Sequence, residues 1–500
     1  MNKPETANNE YPNETQIIVL GAGLSGICMG VQLKKNKMDN FVILEKASSI
    51  GGTWRENVYP GVACDVPSHL YSFSFELNPD WSHSYSNGRE ILDYCLKCSR
   101  KYNLEQHLEL NTEVAQAKFN GAQWEIITND GALWIADFLV SGVGGLHHPK
   151  HLDVDGIDCF EGNLLHTAEW DTNLELKNKR VAIVGTGASA AQVLPSIAND
   201  VSEITVFQRS AAWVLPRFAL EISESRKKLF RKFPLLMRLY RIGLWVLLDT
   251  LGMLSLRKNG LLSKRLKRIC EAHINRSVEN LEIRKKLTPN YTPGCKRRCV
   301  SDDYLKTFNQ PHVHLCTNQI KSIEPNGIVD ISGNLHEVDI IIEATGFKAF
   351  DVATYLDIQG KDGRNLKDDW SSRISAYRSV MVPGYPNLFF LLGPNSGTGH
   401  TSALIMIESQ VDFVLKSLKL VEKKNIRHLD PNIRETEKFN LRIQKEMTKM
   451  VFHSGCNAWY TNDNDENFTL WPYSAARFVR EMKGFNKRDL LSPRIGADKQ

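Results

Sequence analysis

The sequence has no apolar run long and uninterrupted enough to span a membrane; its most apolar stretch, 243–256, is short and carries Asp249 in its middle. It also lacks low-complexity tracts and, beyond the two loops described below, internal repeats. Residues 1–14 are polar with no apolar core, so they read as a disordered lead-in and not as a signal peptide. A cysteine framework is missing as well. Ten cysteines are scattered over 500 residues, a usage that fits reduced thiols in a cytosolic setting. Cys95 and Cys98 have a C-x-x-C spacing but read as helix interior, and Cys295 and Cys299 merely bracket Lys296-Arg297-Arg298, so neither a metal site nor a redox pair is expected. Nor is there a strong excess of charge: +5 over this length gives no footprint for nucleic acid. The charge is, however, unevenly placed. Residues 226–268 hold thirteen Lys and Arg against one acid, Asp249, a surplus of +12 that leaves the rest of the chain at −7.

What is present is the composition of an ordinary globular enzyme, with a length that calls for two domains or an interrupted one. A strand over 16–20 runs into Gly21-x-Gly23-x-x-Gly26, a helix over 27–33 follows, and the next strand, 41–44, ends on Glu45. Strand, glycine turn, helix and acid together form a dinucleotide fingerprint, in which the glycines admit a pyrophosphate and the acid meets a ribose diol. Gly51-Gly52-Thr53-Trp54 suggests a second close pass of backbone by cofactor, and Tyr59-Pro60-Gly61 leads to Asp65. An amphipathic helix is expected over 89–104, then a hairpin, 124–128 and 134–140, turning at Asn129-Asp130-Gly131. A second strand, 180–184, opens Gly185-x-Gly187-x-x-Ala190, and its partner strand, 203–207, ends on Gln208-Arg209-Ser210 instead of an acid. An acid would repel a 2′-phosphate whereas Arg209 can pair with it, so this fold should take NADPH. One held and one exchangeable dinucleotide suggest FAD in the first fold, reduced by NADPH in the second.

The expected class is therefore α/β with two Rossmann-like domains: an FAD-binding domain over 15–150 that resumes at 336–500, and an NADP-binding domain over 151–335. Residues 337–343 read as the strand returning toward the flavin fold, 384–393 as another buried strand, and 402–420 as a helix entered through a glycine-rich turn. A basic, helical insert, 216–290, interrupts the NADP domain. Two readings compete for it: a helical subdomain packing its apolar face on the nucleotide fold, which is preferred, and a helix lying on an anionic membrane surface, making a cytoplasmic enzyme membrane-associated. Trp459, Tyr460 and Trp471 could line a pocket or close the core.

Between the two glycine loops lies Phe160-x-Gly162-x-x-x-His166-x-x-x-Trp170-Asp171. This pattern resembles the signature of the type I Baeyer–Villiger monooxygenases. Gly51-Gly52-Thr53-Trp54 with Tyr59-Pro60-Gly61 and Asp65 is similar to that family's second motif, and Asp339 with Ala344-Thr345-Gly346-Phe347 to its third. The resemblance covers 16–471 and leaves out the insert. It implies that NADPH reduces FAD, that O2 adds at the flavin C4a, and that the peroxide attacks a ketone to give an ester or lactone. It places the catalytic arginine at Arg297, with Arg298 the lesser candidate; Asp65 would orient that arginine and raise the flavin's nucleophilicity. Lys296 would join Arg209 on the 2′-phosphate, and His166 would couple the domains as the nicotinamide moves. Relatives that oxidise nitrogen or sulfur through a hydroperoxyflavin are the alternative; Trp170-Asp171 favours the ketone branch. A flavin-linked disulfide reductase shares both folds but needs a redox cysteine pair, and neither pair lies near the flavin loops in sequence. A non-catalytic, membrane-attached flavin scaffold is motivated only by the basic insert. The particular ketone and the oligomeric state stay open.

Overall fold

The computed structural model describes residues 12–348, 356–456, 460–461, 466–484 and 486–491. Two parallel-rich sheets, each with its own apolar core, organise the chain. At the centre of the first sheet, Asn13–Leu20 pairs in parallel with Phe41–Leu44 on one side and Leu133–Ser141 on the other. Asn13 and Glu14 thus belong to a strand and not to the expected lead-in; the rest of that segment, 1–11, lies outside the described residues. Phe-Val-Ile-Leu over Phe41–Leu44 is buried throughout, as a strand covered on both faces must be. The hairpin forms as expected: Trp124–Thr128 runs antiparallel to Leu133–Ser141. Late chain completes the sheet, because Leu388–Phe390 joins Leu133–Ser141 and Asp357–Gln359 joins Val114–Phe119. Helix Ala403–Lys424, capped by Ser402, packs on Leu24–Lys35, so the first domain is discontinuous.

The second sheet has five parallel strands in the order Val313–Cys316, Glu203–Phe207, Arg180–Val184, Ile340–Glu343, Asn163–His166. This corrects the expected boundary at 335/336. Ile340–Glu343 does not return to the first fold; it sits inside the second sheet, and the crossing back follows it. A continuously buried Ile-Ile-Ile run suits either parallel sheet, so its residues alone do not choose between them. The two linkers between domains run side by side, Lys150 N–H donating to Gly346 O (2.9 Å) and Lys348 N–H to His148 O (2.9 Å).

The insert folds into helices, the longer ones being Glu224–Lys232, Pro234–Leu247 and Leu261–Ser277, with Ser223 capping the first and Pro234 opening the second. It touches both cores: Trp245, Leu248, Met253 and Leu256 pack with the first domain, Cys270, Ile274 and Leu287 with the second. The preferred packing reading therefore holds for its inner face, while the outer face of Pro234–Leu247 is left apolar and exposed. Among the described residues no helix is long and apolar enough to cross a membrane.

Asp249, which breaks the apolar run, is buried and bonded. Its Oδ1 accepts from Ala475 N–H (2.6 Å) and lies 2.9 Å from His400 Nε2, and its Oδ2 accepts from Ala476 N–H (3.0 Å), anchoring the first turn of helix Ala475–Lys483. Burial opposes its ionisation, but these bonds from His400, Ala476 and Ala475 outweigh it and hold the carboxyl below its ordinary range. A depressed carboxyl stabilises the fold at neutral pH and loses that contribution only as pH falls through its folded value. Asp249→Ala should cost about 2–4 kcal/mol by stranding two helix amides and a buried histidine, and lower the thermal midpoint by several degrees in a circular-dichroism melt. An unchanged midpoint would show that the anchor contributes nothing.

Cys295 and Cys456 form a disulfide, with 6.1 Å between their Cα atoms and 161 residues between them in sequence. This corrects the expectation that every thiol is reduced. Cys95, Cys98 and Cys299 are free and buried; burial pushes all three thiols up, those of Cys98 and Cys299 to about 12. Tyr460 and Trp471 are buried in the first core, closing it as the second of the two options had it, and Trp459 lies outside the described residues.

Candidate active site

The first glycine loop is built for a close approach. A Cβ on Gly26 would lie 1.9 Å from Gly21 O, and one on Gly52 would lie 3.0 Å from Gly23 Cα, so the two glycine turns lie so close to each other that an added side chain would clash. Gly23 caps helix Leu24–Lys35 with no side-chain acceptor, leaving its first-turn amides to whatever anion enters. Glu45 is more committed than the sequence suggests. It is buried, its carboxylate accepting from Ala22 N–H (2.7 Å), Ala47 N–H (3.0 Å) and Arg55 (3.3 Å), so it braces the loop and keeps only its remaining lone pairs for a ribose. Thr53 begins the short helix after Gly52, and Trp54 Nε1–H donates to Tyr71 Oη (3.2 Å).

The second loop repeats the design. Gly187 caps Ala188–Ile197 without a side-chain acceptor, Gly185 lies against Ala344, and Ala190 is fully buried. At the loop's far side Lys296 Nζ donates to Ser210 Oγ (2.9 Å), and Thr186 Oγ1–H donates to Ser210 O (2.8 Å). Burial and then the charge of Arg209 push the Lys296 ammonium down. The two cations lie near enough to repel each other, and no acid is paired with either among the described residues.

Between the loops the two domains meet through Tyr59, which the second motif contains, and through Gln192 and Arg217, which no local pattern flagged. Tyr59 Oη–H donates to Gln192 Oε1 (2.8 Å), Gln192 Nε2–H donates to Ala63 O (2.9 Å), and Arg217 donates to Cys64 O (3.2 Å) and Tyr85 O (3.3 Å). These bonds fix the segment that ends at Asp65. Arg297 Nη2 donates to Asp65 Oδ2 at 2.6 Å, joining the turn after the insert to the loop after the first fingerprint. Neither is sealed in: their side chains are 46% and 25% exposed. Burial disfavours the Asp65 carboxylate, but the Arg297 charge and hydrogen bond, with help from Arg217, outweigh it and hold its pKa down. Asp65 in turn raises that of Arg297. Arg298 turns elsewhere, donating to Ser255 Oγ (3.3 Å) and Gly399 O (3.1 Å). Metal chemistry is not suggested at this pair; a Cys316, Asp330 and His336 group lies in the second domain, where Asp330 already accepts from Asn318, Ser332 and Asn334.

The Phe160–Asp171 motif lies in the second domain, at the edge of its sheet. A Cβ on Gly162 would lie 2.4 Å from Asp339 O, so only glycine lets Asn163–His166 dock on Ile340–Glu343; Asp339 itself receives Arg180 N–H (2.8 Å). Phe160 and Trp170 are partly buried against separate cores, and Asp171 Oδ1 accepts from Asn173 N–H (2.8 Å) in an exposed turn. His166 is buried beneath the linkers, its ring 5.9 Å from that of Phe347 and 5.5 Å from that of His151. Burial, opposed by Glu343, pushes its pKa down.

A family model described as pyridine nucleotide-disulphide oxidoreductase matches residues 18–227, spanning the first fold and the start of the second. A Baeyer–Villiger monooxygenase of Pseudomonas aeruginosa is 40% identical over 467 residues, covering 93% of this chain and 88% of that one. The chain belongs to the Baeyer–Villiger monooxygenase family. Its two dinucleotide folds are accordingly those of an FAD-containing, NADPH-dependent monooxygenase. Solved structures agree on the fold. A cyclohexanone monooxygenase from Rhodococcus sp. Phi1 bound to NADP+ superposes with a TM-score of 0.88 at 24% identity, over 97% of this chain and all of that one. OTEMO in complex with FAD and NADP gives 0.87 at 22% identity, with the same coverage. In a Baeyer–Villiger framework the Arg297–Asp65 pair lies where the first domain's loops meet the turn that leaves the insert.

Proposed function

We propose that this Baeyer–Villiger monooxygenase inserts one oxygen atom of O2 beside the carbonyl of a small ketone, giving an ester or lactone, with FAD in the first fold and NADPH in the second. Bound FAD supplies the two-electron relay between NADPH and O2. The chain's own residues do the rest. Gly21, Gly23, Gly26 and Gly52 admit the flavin dinucleotide, and Gly185, Gly187, Arg209, Ser210 and Lys296 hold the reductant. Arg297 keeps a charge that cannot titrate beside the reacting oxygen, and Asp65 aims its guanidinium. His166, packed under the linkers, couples the two domains as the nicotinamide moves.

The observation that carries this reading is the Arg297–Asp65 pair, a fixed cation at the seam between two dinucleotide folds. The test is product analysis with NADPH, isotopically labelled O2, and linear, cyclic and aryl ketones beside a thioether. An ester or lactone carrying one labelled oxygen is expected. Sulfoxide alone, with every ketone returned unchanged, would assign the enzyme to heteroatom oxidation instead.

A further inference from the structure

We propose that the outward face of helix Pro234–Leu247 docks on an anionic phospholipid bilayer. Leu235, Leu239, Ile242 and Val246 follow one another at spacings of four, three and four and are 69%, 56%, 48% and 56% exposed; Leu251 and Leu254 extend the stripe past the helix end at 49% and 48%. Scattered exposed leucines are normal, but a continuous helical stripe of this length is a surface made to be covered. The helix is not loosely attached. Its opposite face buries Met237 and Arg241, and Arg241 donates to Ser72 O (3.2 Å), so the stripe is held outward by a packed inner face.

Charge identifies what covers it. Lys228, Lys232 and Arg238 flank the stripe, are exposed, and form no ion pair among the described residues. The one acid of 226–268, Asp249, is turned inward to His400 and the amides of Ala475 and Ala476, and the neighbouring acids Glu224 and Asp80 are already paired with Lys227 and Arg231, so the charges left over beside the stripe are cationic. An apolar stripe edged by unpaired lysine and arginine matches an interfacial helix, its leucines among acyl chains and its cations among phosphates. A second copy of the chain fits poorly, because a two-fold contact through this face would set Lys228, Lys232 and Arg238 of one copy against the same cations of the other. The helix lies on the bilayer and does not cross it, since no described helix is long and apolar enough to span.

The test is sedimentation of the holoenzyme with vesicles of phosphatidylcholine alone and of phosphatidylcholine with phosphatidylglycerol. The protein should pellet with the anionic vesicles and about tenfold less with the neutral ones, and high salt should weaken the binding. Leu239→Asp with Val246→Asp should abolish pelleting while NADPH oxidation and the thermal midpoint stay at wild-type values. Lys232→Glu with Arg238→Glu should do the same through charge alone, and decides the matter if the first variant misfolds. Wild-type protein that stays in the supernatant with anionic vesicles at low salt overturns the proposal. So does pelleting that survives both variants, or a wild-type dimer in light scattering that Leu239→Asp with Val246→Asp converts to monomer.

Discussion

Arg297→Ala should leave reduction of the flavin by NADPH at a near wild-type rate and lower formation of the oxygenated product by about 10²–10³-fold, the usual cost of removing one preorganised group from a developing negative charge. The pair it belongs to is short, 2.6 Å from Nη2 to Asp65 Oδ2, and strongly polarised, each partner favouring the other's charged form. Removing the guanidinium deletes a cation that no pH near neutrality can switch off. Arg298 does not take its place, because its guanidinium is turned away to Ser255 and Gly399, tying the turn to the helices below and to the loop before Ala403–Lys424. Arg297→Lys should retain part of the activity: the charge remains, but the fork that meets Asp65 is lost. Anaerobic stopped-flow absorbance reads the reduction step and gas chromatography reads the product. Ester formation at a near wild-type rate in Arg297→Ala would remove Arg297 from the chemistry.

How much of this was legible in the sequence depends on how local the physics is. The glycine loops were, because the need to bring backbone against a pyrophosphate is written within six residues; the expectation for Arg209 comes from its occupying the place where an acid is otherwise found. The assignment of Arg297 over Arg298 rested on resemblance, and the structure gives the two side chains different partners. What stayed hidden depends on distant contacts. Ile340–Glu343 reads as a buried parallel strand in either sheet, and only its neighbours Arg180–Val184 and Asn163–His166 place it. The Cys295–Cys456 bridge joins residues 161 apart, beyond any spacing rule. Gln192 and Arg217 look like ordinary surface residues until the two domains close on them. The insert was read as a choice between packing and membrane; it has one face for packing and another left open, as a helix with apolar residues on both sides allows.

Replacing Arg209 by Glu together with Lys296 by Ala should raise the half-saturating NADPH concentration for flavin reduction by roughly 10²-fold or more and leave that for NADH within a few-fold, reversing or erasing the preference between them. The estimate follows from two charge-assisted contacts to one phosphate, each about 1.5–3 kcal/mol, with the introduced carboxylate adding repulsion where Arg209 stood. The geometry supports a joint site. Lys296 arrives from the turn after the insert and Arg209 from the end of Glu203–Phe207, yet they are close enough for Arg209 to depress the lysine, with Ser210 bridging through a 2.9 Å bond. Cations pressed together without a carboxylate are destabilising until a dianion joins them, so each single variant should lose less than half of the double variant's effect in logarithmic terms only if the other cation can still hold the phosphate alone. Measuring both singles and the double with NADPH and NADH gives that coupling directly. The test is also separate from the oxygenation chemistry, because flavin reduction is read without a ketone and Arg297 is untouched. If the double variant reduced its flavin with NADPH as readily as the wild type, the arginine that stands in for the acid at 209 would be an ordinary surface charge, and the discrimination would have to come from another part of the second fold.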